Sequence, residues 1–387
     1  MKDFLKIVYS YALMVLLFPL RLFPVRSDRL VFAGLTGGDA YEYAGNPKYL
    51  CDYIRREYPG RFQIYWAVSG PERYRESEGR DITFVKHYSL QSFYYLMTAK
   101  VIVTSGSYAP WFPFRKKQYL INTWHGGGAY KRLKDNYEDA DRLQRRKLKF
   151  CAENISLFLS TCRRATVCLF RGAFHYQGEI MEIGMPRNDC LVNGQTERAA
   201  DKVRAYYRIP QGERLVLYAP TYRTPSQRIV LDGEALLKTL QRDGTKWHIL
   251  FRAHRYQDKT ASISVTGCEV LQAGDYPDMQ ELLCAADMLI TDYSSAVWDY
   301  SFLYRPCFLF VPDLAEYLEK TGFYTDIDQW PFAMAQDMAE LEKRIVSYDE
   351  NAARESIRRH HREMGNCESG RACELVTARI LEVCGQE

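Results

Sequence analysis

Short apolar runs recur along the chain, and the stretches between them carry apolar residues at helical spacing. The runs predict strands at Leu30–Ala33, Phe62–Ala67, Ile82–Phe84, Val101–Thr104, Gln118–Thr123, Leu157–Ser160 and Ile180–Ile183. Pro47–Tyr58 and Leu90–Ala99 read as helices between them. Strand and helix in alternation imply βα units and a parallel sheet. After a polar helix at Thr196–Tyr207 the pattern restarts, with strands at Leu215–Tyr218, His248–Phe251, Val270–Leu271, Met288–Thr291 and Cys307–Phe310. Two doubly wound α/β domains follow, 28–200 and 201–387, facing a cleft. Ligands of such sheets sit at the carboxyl ends of the strands.

The first segment, 1–27, is different. Ile7–Leu20 is almost wholly apolar and is flanked by Lys2, Lys6, Arg21 and Arg26. As a helix it rises about 21 Å, short of a ~30 Å hydrocarbon core. No small-residue cleavage site follows it, so a signal peptide is not indicated. The expectation is a membrane-associated helix in the interface, its cations on anionic head groups. The basic stretch Arg142–Phe150 is a second candidate contact. Together they place the chain at the cell membrane, peripheral on its cytoplasmic face.

Composition narrows the class. Of 387 residues, 47% are apolar and 26% charged, which fits a globular chain and excludes a multi-pass membrane protein. The net charge of +4 is too small for a dedicated nucleic-acid binder, so no nucleic-acid partner is expected. Eleven cysteines lack CxxC or zinc spacing and read as reduced thiols.

Polar clusters follow several of the predicted strands. Asn122-Thr123-Trp124-His125-Gly126-Gly127-Gly128 ends a strand in a histidine suited to general-base work, then three glycines. A helix carrying Lys131 and Arg132 is expected next, with amides open to an anion at its start. Tyr218–Arg223 follows another strand, and Arg223 has the planar donor fork that clamps phosphate. Arg252-Ala253-His254-Arg255 sets cations around an imidazole, a pattern that suits pyrophosphate. Thr291-Asp292-Tyr293-Ser294-Ser295 stops a strand and opens a helix, placing two hydroxyls at an amino terminus. Walker A, GxGxxG, GxSxG and HExxH motifs are all absent. The clusters together describe a diphosphate-bearing ligand.

In one order, Thr123-Trp124-His125-Gly126, Gly184-Met185-Pro186-Arg187-Asn188-Asp189, Tyr218–Arg223, Arg252-Ala253-His254, Thr291–Ser295, Arg305-Pro306, Pro312–Tyr317 and Gly322-Phe323-Tyr324 form a series. Over roughly residues 30–375 the chain resembles the CDP-glycerol glycerophosphotransferase family of teichoic-acid synthesis. The resemblance implies a GT-B-like fold of two Rossmann-type domains on a membrane-attached enzyme. It implies transfer of glycerol phosphate, or a related polyol phosphate, from a CDP-polyol donor to a hydroxyl of a lipid-linked glycan acceptor, with release of CMP. His125 and His254 become the catalytic pair. Gly126, Thr221, Arg223, Arg252, Asp292, Ser294, Ser295 and Asp299 become the substrate-binding set, with Arg223 and the two serines on the diphosphate. No resident metal or cofactor is expected, and magnesium dependence, oligomeric state and the surface polymer stay open. A CDP-ribitol enzyme and a nucleotide-sugar glycosyltransferase are the alternatives.

Three departures touch the substrate pockets. Gly127-Gly128 stands where the family shows Thr-Pro, Arg255 where it shows proline, and Thr321 where it shows arginine before Gly-Phe-Tyr. Without a large extra N-terminal domain, the chain reads as a single-transfer or short-chain enzyme.

Overall fold

The apolar runs become the strands of two separate parallel sheets. The structure is a computed structural model describing residues 14–35, 41–74, 81–106, 112–133, 137, 139–221, 223, 229–253 and 263–385. The chain divides into two units, one of Met1–His125, Asp135–Asp189 and Cys367–Glu387, the other of Gly126–Lys134 and Cys190–Asn366.

The first unit contains β1 (Arg26–Leu35), β2 (Tyr41–Glu42), β3 (Gln63–Val68), β4 (Ile82–Lys86), β5 (Ala99–Thr104), β6 (Tyr119–Asn122), β7 (Leu157–Ser160) and β8 (Glu179–Glu182). Its order is β4-β3-β1-β5-β6-β7-β8, with β2 antiparallel on β1. The order reverses between β1 and β5, as in a Rossmann sheet, and makes a switch point there. Leu30, Phe32, Trp66, Val101, Val103, Ile121 and Leu157 build one core face against the helix Gly45–Glu57. Val376 and Ile380, on the C-terminal helix Ala372–Val383, belong to the same core. The end of the chain thus completes the fold of its beginning. Asp189 fixes that return, its carboxylate accepting from Ala372 N and Cys373 N at 2.9 and 2.8 Å.

The second unit contains β9 (Arg214–Tyr218), β10 (Ile229–Asp232), β11 (Trp247–Phe251), β12 (Ile263–Thr266), β13 (Leu271–Gln272), β14 (Met288–Thr291), β15 (Cys307–Phe310) and β16 (Ala333–Ala335). Its main sheet runs β13-β11-β9-β14-β15-β16, while β10 and β12 pair in parallel as a separate ribbon. The same reversal places a switch point between β9 and β14. Side-chain caps set several helix starts here: Asp278 accepts from Gln280 N, Asp337 from Glu340 N and Asp349 from Ala352 N.

Two sequence expectations meet the structure differently. No helix forms over the described residues 126–133: the backbone bends at Gly128 and Ala129, and Lys131 pairs with Phe323 in an antiparallel bridge. Half of the apolar stretch Ile7–Leu20, residues 7–13, lies outside the described residues. The described part is helical over 14–17 and passes into a 3-10 turn, Phe18–Leu22, where Pro19 sits in the first turn. No described helix is long and apolar enough to cross a membrane.

Candidate active site

In the first unit the site begins where β6 ends. Trp124 takes a left-handed backbone (φ 55°), a conformation disfavoured for a bulky residue and held here by surrounding bonds. Trp124 N donates to Asn122 Oδ1 at 2.8 Å, and Asn46 Nδ2 donates to the Thr123 and Trp124 carbonyls at 3.2 and 3.0 Å. Arg187 Nη1 donates to the His125 carbonyl at 2.7 Å, while Arg187 N donates to Asn46 Oδ1. Three polar side chains from distant segments therefore fix one turn.

That turn presents the His125 ring to solvent, with Nδ1 3.1 Å from the Ser105 carbonyl just beyond β5. A carbonyl can only accept, so Nδ1 carries the proton and Nε2 keeps its lone pair. The ring is accessible yet closely flanked by protein. This desolvation lowers its pKa, with Arg187 adding to the effect and the Ser105 carbonyl opposing it. The neutral imidazole is thus favoured at physiological pH.

Behind the turn, Gly184-Met185-Pro186-Arg187-Asn188-Asp189 acts as a staple. The buried Glu368 carboxylate accepts from Thr161 Oγ1, Met185 N and Asn188 Nδ2. Gly184 (φ 91°) packs so closely on Glu368 that a Cβ would lie 2.3 Å from Oε2.

In the second unit the loops after β9 and β14 meet at the switch point. Thr221 N donates to both Asp292 oxygens at 3.0 and 2.9 Å, and the Thr221 hydroxyl donates to Oδ1. Arg223 is 3% exposed. Its Nη2 is 2.9 Å from Asp292 Oδ2, Nε donates to Asp313 Oδ2 at 2.6 Å and Nη1 to the Thr221 carbonyl at 2.8 Å. Tyr293 and Tyr317 stack at 3.6 Å, and the guanidinium lies 4.9 and 5.3 Å from their centroids. The donor fork read from sequence as a phosphate clamp is committed to internal partners.

Lys131 reaches the same neighbourhood, its ammonium 5.5 Å from the Tyr317 centroid. Desolvation lowers its pKa to about 8, with Arg223 adding to the shift and Asp292 opposing it. The glycines before it serve packing. A Cβ on Gly127 would lie 2.4 Å from Trp298 Cδ1, and Gly128 (φ 64°) abuts the Tyr130 ring. Tyr130 Oη is bonded to His360 Nε2 at 3.0 Å.

Thr221, Arg223 and Asp292 form one cluster. Ser294 and Ser295 follow it on half-exposed positions, where Ser294 Oγ accepts from Ala296 N and Ser295 makes no capping bond. The helix they open, Ala296–Ser301, is short. Gly126 is half-exposed. Arg252 Nη1 donates to the Ala273 and Tyr276 carbonyls, both at 2.9 Å, bracing the turn after β13. Asp299 is buried and accepts from Gln280 Nε2 at 2.9 Å, which gives it a supporting place. His254 lies outside the described residues. Asn46 and Glu368 escaped the sequence reading, because their partners are remote in the chain; Lys131 and Asp313 stood in it within motifs, without the contacts the fold gives them. Among the described residues no three His, Cys, Asp or Glu side chains cluster to hold a metal.

Two Rossmann-type units with polar loops at the carboxyl ends of their strands define a GT-B-like α/β fold. Residues 15–382 match the family described as CDP-Glycerol:Poly(glycerophosphate) glycerophosphotransferase, and the chain belongs to that family. It is 28% identical over 319 residues to a teichoic acid poly(glycerol phosphate) polymerase of Bacillus subtilis, covering 79% of this chain and 42% of that one. It thus spans less than half the length of that relative. Identity is 29% over 272 residues to a teichoic acid ribitol-phosphate primase of Bacillus spizizenii, covering 66% of this chain and 68% of the relative. A solved structure of the wall teichoic acid polymerase TagF superposes with a TM-score of 0.81 at 25% identity, covering 99% of this chain and 98% of that one.

Proposed function

We propose that this chain transfers glycerol phosphate, or a related polyol phosphate, from a CDP-polyol to a hydroxyl of a lipid-linked glycan in teichoic-acid-like polymer synthesis. The observation that carries the reading is His125, its tautomer fixed by Ser105 so that Nε2 accepts a proton. In the reaction the acceptor oxygen attacks the polyol-phosphate phosphorus, its proton passes to Nε2, and the phosphorus–oxygen bond to CMP breaks. Transfer at phosphorus depends on positioning and charge stabilisation more than on covalent help. Lys131, Ser294 and Ser295 are assigned to the donor phosphates, with Thr221, Arg223 and Asp292 ordering the loops that carry them. His254 is assigned to the leaving CMP. Residues 28–200 take the acceptor side and 201–387 the donor side.

The test is CMP release from CDP-glycerol and CDP-ribitol with membrane extract as acceptor. Release from one donor names the polyol; relatives named for either polyol stand at similar identity, so both must be tried. No release from either, and no CDP binding, would return the chain to the nucleotide-sugar reading.

Lys131 adds a pH signature. With a pKa of about 8 its charge is lost as pH rises through 8, and a bound diphosphate pulls that pKa upward. The donor KM is expected to rise above pH 8, with proton uptake on donor binding between about pH 8 and 9. Lys131→Met is expected to raise KM roughly tenfold or more and to flatten that rise. Calorimetry in buffers of different ionisation enthalpy reads the proton directly.

The membrane reading rests on the N-terminal segment. Leu17 is buried in the first unit, whereas Val15, Leu16, Phe18 and Leu22 are exposed. An exposed apolar strip beside Arg21 and Arg26 suits a peripheral seat on the cytoplasmic leaflet.

A further inference from the structure

Arg29 lies in β1 and is 4% exposed. Its guanidinium carbon is 5.1, 5.4 and 5.2 Å from the ring centroids of Tyr65, Tyr94 and Tyr95. One nitrogen donates to Thr98 Oγ1, but Nε has no hydrogen-bond partner and no carboxylate pairs with the side chain among the described residues. A guanidinium stays ionised when buried. Contacts with three aromatic faces offset part of its desolvation, yet a charge this deep ordinarily has an anion beside it.

This cage lies at the amino ends of the strands. Arg26 of β1 is in register with Ala99 of β5, and Val101 of β5 with Tyr119 of β6, so the turn leading into β6 lies at the same end. Arg115 in that turn donates to the Phe23 carbonyl at 2.6 Å and ties it to the N-terminal segment. Lys116 and Lys117 beside it are exposed, as is the apolar strip that ends in Leu22, itself 88% exposed. Phe23 meets the edge of Tyr94, a wall of the cage, with centroids 5.3 Å apart. One end of the sheet therefore combines an exposed apolar strip, exposed cations and a buried cation lacking an anion.

We propose that this end of the first unit docks on a bilayer containing anionic phospholipid. The apolar strip enters the acyl boundary, Lys116 and Lys117 meet headgroup phosphates, and Arg29 takes one lipid phosphate when Phe23 lifts from Tyr94. The proposal rests on the membrane reading above and gives it a lipid chemistry and a phosphate site. Charge complementarity selects phosphatidylglycerol over zwitterionic phosphatidylcholine.

The experiment is flotation of the full chain with vesicles of phosphatidylglycerol and phosphatidylcholine, against phosphatidylcholine alone. Lys116→Gln with Lys117→Gln is expected to lower partition onto the anionic vesicles roughly 25-fold. Undiminished partition overturns the surface. Arg29→Gln is expected to lower it about tenfold or more. A buried substitution can disturb folding, so the wild-type chain supplies a second reading. Soluble dihexanoyl-phosphatidylglycerol is expected to raise its melting temperature, and inorganic phosphate at equal concentration is not. Equal stabilisation by inorganic phosphate overturns the lipid assignment, and stabilisation by neither overturns Arg29 as an anion site. CMP release in detergent reports on the transfer reaction separately, and the lysine variant is expected to keep it. A failed transfer assay thus leaves the vesicle result readable.

Discussion

His125→Ala is expected to lower kcat for CMP release by about 10²- to 10⁴-fold, the range for loss of a positioned general base. Folding should survive, because the residue is exposed and, among the described residues, its ring is hydrogen-bonded through Nδ1 to the Ser105 carbonyl. The bonds that shape the turn use backbone atoms of Thr123, Trp124 and His125 and persist in the variant. Donor binding should persist as well, since the residues assigned to the phosphates belong to the other unit. The expected pattern is low kcat, near-normal KM for the donor and an unchanged melting temperature. Near-wild-type turnover would remove His125 from the chemistry.

The pH profile offers an independent check on the same residue. Desolvation and the neighbouring Arg187 lower the His125 pKa. The base form then persists to lower pH than an ordinary imidazole, so the acid limb of kcat/KM should fall below about pH 6.5. A limb above that value would point to a different base.

How far the sequence foretells this arrangement depends on how local each cause is. Strands such as Leu157–Ser160 and Met288–Thr291 are buried throughout, and their unbroken apolar runs read directly as parallel-sheet strands. Among the described residues Ile229–Asp232 and Ile263–Thr266 pair with each other apart from the main sheet, and the first alternates buried and exposed over four residues, too short a pattern to stand out. The glycines after His125, followed by Lys131 and Arg132, imitate a helix start. What forms instead is set by Trp298, which needs Gly127 bare, and by Phe323, which pairs with Lys131. His125 was legible because it follows a strand. Its tautomer was not, since it depends on a carbonyl 20 positions earlier. Likewise Arg223 looks like a ligand clamp until Asp313, 90 positions away, arrives beside it.

That internal commitment of Arg223 leads to the largest expected effect on stability. Arg223→Met leaves the Asp292 and Asp313 carboxylates buried without their shared cation, their side chains being 2% and 10% exposed. Breaking a buried ion pair by removing one partner costs about 3–5 kcal/mol, well above the few tenths expected of a surface arginine. Thr221 would lose the partner of its carbonyl, and the loops after β9 and β14 would loosen together. Donor binding should therefore weaken along with the melting temperature. Arg223→Met combined with Asp292→Asn should recover part of the loss, because the second change removes one of the stranded charges. A surface clamp would behave in the opposite way. Arg223→Met would then keep the wild-type melting temperature, raise the donor KM alone, and gain nothing from the change at Asp292.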